Sequence, residues 1–431
     1  MGFFTHLWQY RTWEGRQHEY WYLNDVLWPW AARCARLYRR TVARRVRVVV
    51  VIGSLGKTTT RRMLVAALGL QRPGVAEQRH NTRAIVALWV LALRPWQRLA
   101  VIEVGLGRLG EMIQYARVLR PDVVVATSVA SDHNASFGTL TVTREEKANM
   151  VRALRPDGLL LANGDDPNTR WMATQTQART ITYGFDAANA VQASDVVLDW
   201  PRGTRFQARI AGENLAVRTR FVGRKMVYPA LVALAAAQAL GLALEGARDR
   251  LAAVIPADAR LEPVTLANGA VILRDEYKSG VETVHAALDL LAEIPARRRW
   301  VVMGDLTEPP GSRSEQIAAY LRVGERIGQV AQRAIFMRGH ATLYRRGARR
   351  GGMAPDRMSV AEDVAGAVAQ LRAELADGDV VLVKGRFIQH LDRIALALAG
   401  PEVGCARLHC RLKLRPCAQC PLLGIPRGAN S

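Results

Sequence analysis

VVVVIGSLGKTTT, Val48 to Thr60, is the stretch around which the rest of the chain is organised. Val48 to Ile52 are apolar and mostly β-branched, which reads as a buried parallel strand. Gly53-Ser54-Leu55-Gly56-Lys57-Thr58 follows at once and runs into a helix-like TTTRRMLVAAL. Strand, glycine-rich turn and helix in that order make a phosphate-binding loop. Glycines let backbone N–H groups approach phosphate oxygens, and the new helix points its positive end at them. Lys57 adds a point charge, and the Thr58 hydroxyl is suited to Mg²⁺. The first glycine of the usual motif is absent, because Val51 holds its place.

Outward from the loop, 431 residues with 49% apolar and 23% charged side chains describe two or three globular domains rather than a disordered chain. The formal net charge of +22 is compatible with nucleic acid, an anionic membrane surface or anionic substrates, and charge alone does not choose. No nucleic-acid module is recognisable, which makes nucleic acid an unlikely partner. Of the 60 basic residues only six are lysines: Lys57, Lys147, Lys225, Lys278, Lys384 and Lys413. Where only positive charge is needed this chain writes Arg, so a retained Lys marks a place for a compact ammonium or a reactive amine. No run of apolar residues is long enough to span a membrane, and no signal peptide or myristoylation pattern is present, so a cytoplasmic location is expected.

Residues 1–47 hold five of the ten tryptophans and a burst of arginines. Pro29 is expected to open a helix with Trp30, Cys34, Leu37 and Tyr38 on one face and Arg33, Arg36, Arg40 and Arg44 on another. That profile suits either a peripheral helix on an anionic membrane or a helix packed on the next domain with a solvated Arg face. Residues 48–254 alternate strand and helix, with strands at 48–52, 99–104, 122–127 and 158–162. An Ala/Leu helix at 231–244 reads as core. The pattern restarts over 255–400 with strands at 271–277, 299–305, 333–339 and 379–385 and a helix from Val281. The expected fold is α/β, a parallel-sheet ATPase domain followed by a second α/β domain. Residues 401–431 form a tail rich in Cys, Arg and Pro.

Glu103 ends an apolar strand in VIEVGLGRLGE. A carboxylate at the carboxyl end of a strand beside a phosphate loop is placed to hold Mg²⁺. His133, in SDHNASFG, follows the strand ending at Thr127. Lys147, in TREEKANMV, comes fourteen residues later, and is either a reactive amine or a plain Lys paired with Glu145 or Glu146. In the tail, Cys405-x4-Cys410-x6-Cys417-x2-Cys420 offers four thiolates for Zn²⁺, against unliganded cysteines in a tail. Cys34 is expected to pack on a helix face.

In this order GSLGKTTT, EVGLGRLGE, DHNASFG with the spaced Lys147, NGDDP, RLEPVTLANGAVILRDEY, VVMGD and VLVKG resemble the Mur ligases. These are ATP-dependent amide-forming enzymes of cell-wall synthesis, and the chain looks most like the branch that adds D-alanyl-D-alanine. The resemblance implies a Rossmann-like C-terminal domain, ATP and Mg²⁺ as cofactors, and small-molecule acid and amine substrates joined through an acyl phosphate. It implies that Gly53, Ser54, Gly56, Lys57, Thr58 and Thr59 cradle the phosphates. Thr58, Glu103 and His133 would serve Mg²⁺, and Asn163, Arg260, Asp275 and Tyr277 would approach the nucleotide. It further implies that Lys147 becomes a carbamate by reaction with CO₂ and that Lys384 lines the substrate cleft. Family members carry a UDP-sugar-binding domain ahead of the phosphate loop, where this sequence has 47 residues of other composition. Three substrate-side motifs are rewritten as Gly223-Arg224-Lys225-Met226, Arg274-Asp275-Glu276-Tyr277-Lys278-Ser279-Gly280 and Lys384-Gly385-Arg386-Phe387. Tight binding of UDP-linked muropeptides is therefore not expected. The short segment before the loop is also similar to ligases that build capsular polyglutamate, and the altered motifs leave room for an ATP-binding scaffold subunit.

Overall fold

A computed structural model describes residues 13–70, 83–130, 139–307, 309, 311–400, 403–405, 417–421 and 423–424, with side chains from residue 26 onward. The chain divides near Ile255 and Pro256 into two compact units. The first contains α1 (Trp13–Arg40), β1 (Arg47–Ile52), α2 (Lys57–Ala67), α3 (Arg83–Leu91), β2 (Leu99–Glu103), α4 (Glu111–Leu119), β3 (Val123–Ala126) and α5 (Leu140–Arg152). It continues with β4 (Leu159–Asn163), α6 (Pro167–Ala173), β5 (Arg179–Gly184), β6 (Val191–Asp199), β7 (Gly203–Ile210), β8 (Glu213–Thr219), α7 (Val227–Ala239) and α8 (Leu244–Ala252).

The strands form one sheet in the order β2-β1-β3-β4-β5-β6-β7-β8, parallel as far as β6 and antiparallel beyond it. Alternation along β1 explains how the strand is covered on both sides. Val48, Val50 and Ile52 join a core with Val86, Tyr115 and Ala148, while Val49 and Val51 join a second with Met63, Leu64 and most of α7. A strand buried on both faces has no alternating polar side, which is why it reads as an unbroken apolar run. The chain leaves β1 first for β2 on one side and then returns to β3 on the other. The carboxyl end of β1 is thus a topological switch point, the place where open α/β sheets collect ligands.

The four expected strands of this unit match β1 to β4 to within a residue or so at each end, and the Ala/Leu helix expected at 231–244 is the buried α7, which starts at Val227 and stops at Ala239, ahead of the left-handed Gly241. The antiparallel β6–β8 meander was not anticipated. Its alternation is interrupted by a register shift between Ser194 and Val197, and apolar Val197 and Ala216 stand among its exposed polar positions, which blurs the two-residue period.

Residues 13–40 correct the expectation for Pro29. The helix begins at Trp13 and runs through Pro29 rather than starting there. The packed face is Trp28, Ala32 and Ala35; of the expected set Trp30, Cys34 and Leu37 are exposed, while Tyr38 packs on the core and donates to Leu93 O at 2.6 Å. Trp28 meets Tyr115 edge-on at 5.7 Å and donates from Nε1 to Gln114 Oε1 at 2.9 Å. This burial offsets the hydrogen bond that a proline removes from a helix interior. Among the described residues no helix is long and apolar enough to cross a membrane.

Arg39 fastens α1 to the sheet. Buried at 4% exposure, it donates to Ala43 O (2.7 Å), Leu119 O (2.9 Å), Arg120 O (3.2 Å) and Asp122 Oδ2 (2.8 Å). Asp122 Oδ2 also accepts from Val48 N–H at the start of the central strand, at 2.8 Å. Burial lowers the pKa of Arg39 from its ordinary value, with Asp122 pulling the other way.

The second unit contains β9 (Glu262–Thr265), β10 (Val271–Asp275), α9 (Val281–Glu293), β11 (Arg298–Met303), α10 (Arg313–Val330), β12 (Arg333–Met337), α11 (Ala341–Arg350), β13 (Met358–Ala361), α12 (Val364–Glu374), β14 (Asp379–Lys384) and α13 (Asp392–Ala399). Its sheet has the order β13-β12-β11-β14-β10-β9, parallel except for β9. The chain steps outward from β11 to β12 and β13, then returns to β14 on the other side of β11. This second switch point lies at the ends of Met303 and Lys384, which are register partners.

Truncating Arg39 would strand three carbonyls and a carboxylate. Arg39→Ala is expected to destabilise the first unit by about 3–5 kcal/mol, the scale for breaking a buried ion pair. Arg39→Lys should recover little, because one ammonium cannot reach groups spread across a guanidinium fork. Chemical denaturation compared across the three proteins measures this, and an Arg39→Ala midpoint equal to the parent's would refute it.

Candidate functional site

The loop after β1 is shaped by the loop after β3. Thr127 N–H donates to Ile52 O (3.1 Å), Thr127 Oγ1 to Leu55 O (2.7 Å), and Ser54 N–H to Ser128 O (2.7 Å). Gly53 has φ +138°, and a Cβ there would overlap Thr127 Oγ1, so this position admits only glycine. Gly56 takes the left-handed conformation immediately before α2, and no side chain caps that helix. The start of α2, with no side-chain cap, presents its positive end toward the loop, as a phosphate site requires. Lys57 Nζ lies over the loop, donating to Gly53 O (2.8 Å) and Ser54 O (3.1 Å).

Thr58 and Glu103 come together although 45 positions separate them in sequence. Thr58 Oγ1 donates to Glu103 Oε1 at 3.3 Å, and Glu103 is 5% exposed at the end of β2. Two oxygen ligands thus converge beside the amino end of α2, a donor set of the hard type that Mg²⁺ takes. Thr59 is buried within the first turn. His133 lies outside the described residues. Lys147 is on α5, 2% exposed. Lys147 is itself engaged within the fold, and its neighbours Glu145 and Glu146 make bonds of their own. Glu145 pairs with Arg152 at 2.9 Å, and Glu146 Oε1 accepts from Met112 N–H at 3.0 Å.

NGDDP forms a polar knot at the end of β4. Asn163 Nδ2 donates to Thr127 O (2.8 Å) while its Oδ1 accepts from Asp165 N–H (3.1 Å), so both ends of the amide are engaged within the fold. Asp166 caps α6 and accepts from Val129 N–H at 2.9 Å. Asp165 accepts from Phe185 N–H, Asp186 N–H, Asn189 Nδ2 and the Tyr228 hydroxyl at 2.7–3.1 Å. Burial pushes its pKa up, but those hydrogen bonds outweigh it and hold the carboxyl below its usual value. Arg224, from the rewritten GRKM motif, lies 3.9 Å over the Phe185 ring. Sequence reasoning noted NGDDP and GRKM separately. It missed that Phe185 and Tyr228 join them, because nothing in the spacing ties a strand end to a helix start 43 residues later.

In the second unit the end of β10 meets the end of β14. Asp275 and Lys384 are register partners, and Lys384 Nζ, 1% exposed, donates to Asp275 Oδ2 (2.5 Å) and Lys278 O (2.6 Å). Burial holds the Asp275 carboxyl above its usual pKa despite the opposing pull of Lys384. Arg260 lies 4.2 Å over the Tyr277 ring, and Tyr277 is 5.3 Å from Phe387. Asp305, Gln389 and His340 complete this edge and were not anticipated. Asp305 N–H donates to Gln389 Oε1 (3.0 Å), and His340 Nδ1 stands 2.8 Å from Asp305 Oδ1.

The four-thiolate arrangement expected in the tail is not what the described residues bring together. Cys410 lies outside them, and Cys405 Sγ accepts from Arg393 at 3.5 Å. Cys417 Sγ instead lies 3.1 Å from His390 Nδ1, with Asp392 beside them. Cys420 follows one turn later, its N–H donating to Cys417 O at 2.9 Å.

Two family models match the chain, the Mur ligase middle domain over residues 51–237 and the Mur ligase glutamate ligase domain over 259–387. The UDP-N-acetylmuramoyl-tripeptide--D-alanyl-D-alanine ligase of Mycobacterium bovis is 29% identical over 381 residues, covering 84% of this chain and 74% of the relative. The enzyme of that name from Bacillus subtilis is 31% identical over 264 residues, 61% of this chain and 56% of its own. Among solved structures, MurF from Acinetobacter baumannii superposes with a TM-score of 0.75 at 22% identity, covering 86% of this chain and 80% of that one. MurF from Thermotoga maritima in complex with ADP gives 0.72 at 19% identity, covering 86% and 83%. The resemblance carried by the ordered motifs is borne out: the chain belongs to the Mur ligase family and is an ATP-dependent, ADP-forming amide ligase of the cell-wall type.

Proposed function

We propose that this ligase activates a carboxylate as an acyl phosphate in its first unit and couples it to an amine, and that the carboxylate belongs to the cell-wall precursor class on which its relatives act. The observation that carries the reading is the meeting of Thr58 with Glu103 at 3.3 Å beside the uncapped start of α2. A carboxylate resists an amine because oxide is a poor leaving group, and ATP with Mg²⁺ supplies a phosphoryl group that turns it into phosphate. The protein's part is to hold opposite charges close together. Lys57 and the α2 N–H groups take the phosphates, while Thr58 and Glu103 take the cation. Thr127, through its bonds to Ile52 and Leu55, keeps that cradle in shape before any ligand arrives.

The second unit is proposed to be Rossmann-like, with its substrate edge at the β11–β14 switch point. Five parallel strands, and Asp275, Lys384 and Asp305 gathered at their carboxyl ends, support this. Arg260 stacked on Tyr277 offers a flat cationic surface for a nucleotide base or phosphate. Asn163, already bonded on both ends of its amide, would act on the nucleotide by shaping the loop after β3. Rewriting of the GRKM, RDEYKSG and KGRF stretches points to a substrate that differs in detail from the UDP-N-acetylmuramoyl-tripeptide and D-alanyl-D-alanine of the named relatives.

Lys147 is proposed as the carbamate lysine. Lys147 is buried at 2% exposure, and an amine can give up its proton and react with CO₂ where a guanidinium stays protonated.

ADP release that depends on both an acid and an amine tests the reading, beginning with UDP-N-acetylmuramoyl-tripeptide and D-alanyl-D-alanine and extending to other carboxylated wall precursors. Lys57→Ala should lower turnover by about a hundredfold or more. Full activity in that variant would remove the phosphate-loop assignment. Lys147→Ala should be nearly inactive and partly rescued by a small added carboxylate, while Lys147→Arg should stay inactive. A wild-type rate for Lys147→Arg at saturating Mg²⁺ would show that no carbamate is needed.

A further inference from the structure

Independently of the ligase reading, we propose that His390, Asp392, Cys417 and Cys420 form a structural Zn²⁺ site that clips the C-terminal tail to the loop following β14. His390, Asp392 and Cys417 are 3%, 7% and 8% exposed, and each offers a ligand atom within 4.8 Å of the others. His390 Nδ1 stands 3.1 Å from Cys417 Sγ and 3.8 Å from Asp392 Oδ1. Zn–N bonds of about 2.0 Å and Zn–S bonds of about 2.3 Å put neighbouring corners of a tetrahedron about 3.3–3.8 Å apart. The His390–Asp392 pair falls within that range, and the His390–Cys417 pair need open by only a few tenths of an ångström to admit an ion. An imidazole, a carboxylate and a thiol suit Zn²⁺ better than Mg²⁺ or Ca²⁺, which prefer oxygen alone.

Asp392 supplies an independent reason. Its Oδ2 accepts from Cys417 N–H at 2.9 Å, which seats the tail against the start of α13. Its Oδ1 is buried and accepts no hydrogen bond among the described residues. A carboxylate oxygen removed from water with no donor costs free energy, and a cation bound to it offsets that cost. The fourth ligand is assigned to Cys420, because Cys-x2-Cys is the tight spacing by which one turn presents two thiolates to one metal. Cys417 to Gln419 form that turn.

The backbone of the tail converges on the same place. Gly404 and Cys405 N–H both donate to Leu423 O, at 2.9 and 3.0 Å, and Leu423 N–H donates to Cys420 O at 3.1 Å. Arg393, 1% exposed, ties His390 O to Cys405 O at 3.1 and 2.6 Å. On the other side of His390 lie Gln389, which holds Asp305 and Arg386 by their N–H groups, and Phe387, whose ring is 5.2 Å from the imidazole. The metal would thus brace, from behind, the loop that carries Arg386 and Phe387. Binding requires the Cys417 and Cys420 thiols to release their protons, so affinity should rise with pH.

The test is elemental analysis of the full chain, expressed in zinc-supplemented medium, purified without chelator and then exposed to excess Zn²⁺ and desalted. About one zinc per chain is expected, as for a closed structural site. Asp392→Asn, which keeps an acceptor for Cys417 N–H, and Cys417→Ser should each lose most of it, whereas Cys405→Ser should retain it. With Co²⁺ in place of Zn²⁺, the thiolate charge-transfer band should be present in the parent and in Cys405→Ser and lost in Cys417→Ser. Thermal melting checks folding: chelator should lower the parent's midpoint to that of Asp392→Asn and leave Asp392→Asn itself unmoved. Absence of zinc from the reconstituted parent overturns the proposal. So does loss of zinc in Cys405→Ser together with its retention in Asp392→Asn and in His390→Gln, which would restore the four-thiolate set.

Discussion

A parallel sheet covered on both faces has no place for charge along its strands, and most of this chain's architecture follows from that constraint. Every residue of β14 is buried, and β1 is buried from Val48 to Ile52. Polar groups can emerge only where the strands stop. In the first unit they emerge as the phosphate loop, Glu103 and the NGDDP knot, and in the second as Asp275, Asp305 and Lys384. In each unit by itself the strand order reverses at those ends, at β1 in the first and at β11–β14 in the second, so chemistry and topology coincide for one physical reason.

The same constraint decides how much could be read in advance. Unbroken apolar runs announced β1 to β4 and β10, β11, β12 and β14, and the residues just beyond them were found as candidates because a strand end is visible in sequence. Thr58 and Glu103 were each named from their own motif, and their contact follows once β1 and β2 pair in register with Val51 opposite Glu103. What stayed hidden depends on packing between distant segments. Pro29 reads as a helix start, yet burial of Trp28, Ala32 and Ala35 outweighs the local preference. The Asp165–Phe185–Tyr228 cluster and the His390–Asp392–Cys417 cluster join residues from separate elements. A lone His or Asp in sequence carries no signal of such a meeting. Among the cysteines, counting thiols gave no hint that Cys417 would stand beside His390 and Asp392, or that Cys405 would meet Arg393.

The division of labour between Arg and Lys gives the scarcity of lysine a structural meaning. Arginines act as multi-donor ties, buried at positions 39 and 393 and partly exposed at 298. Arg39 satisfies three carbonyls and Asp122, Arg393 bridges His390 O and Cys405 O, and Arg298 pairs Asp379 while donating to Glu374 O. A planar fork of five donors suits that work, and a lysine would leave most of those acceptors unsatisfied. The lysines at strand ends and in the phosphate loop do something else. Lys57 and Lys384 each place one compact charge at a spot where ligand charge or a single carboxylate must be met.

Lys384 also shows how stability and chemistry are coupled at such a spot. Its pairing with Asp275 takes both charges out of water, and burial still holds the Asp275 carboxyl above its usual pKa. A pair in that state is close to balanced between desolvation and attraction, so it adds little to stability while being costly to break. Its value lies in fixing position. Lys384 Nζ is bound to Asp275 and to Lys278 O, and Asp275 Oδ1 accepts from Leu261 N–H next to the Arg260–Tyr277 stack. One buried ammonium thereby sets the relative placement of three rewritten or nucleotide-side segments, RLEP, RDEYKSG and KGRF. Substitutions in those segments can then alter which substrate is met without moving the charge that organises them, which accounts for a metal and phosphate core kept intact beside motifs that have changed.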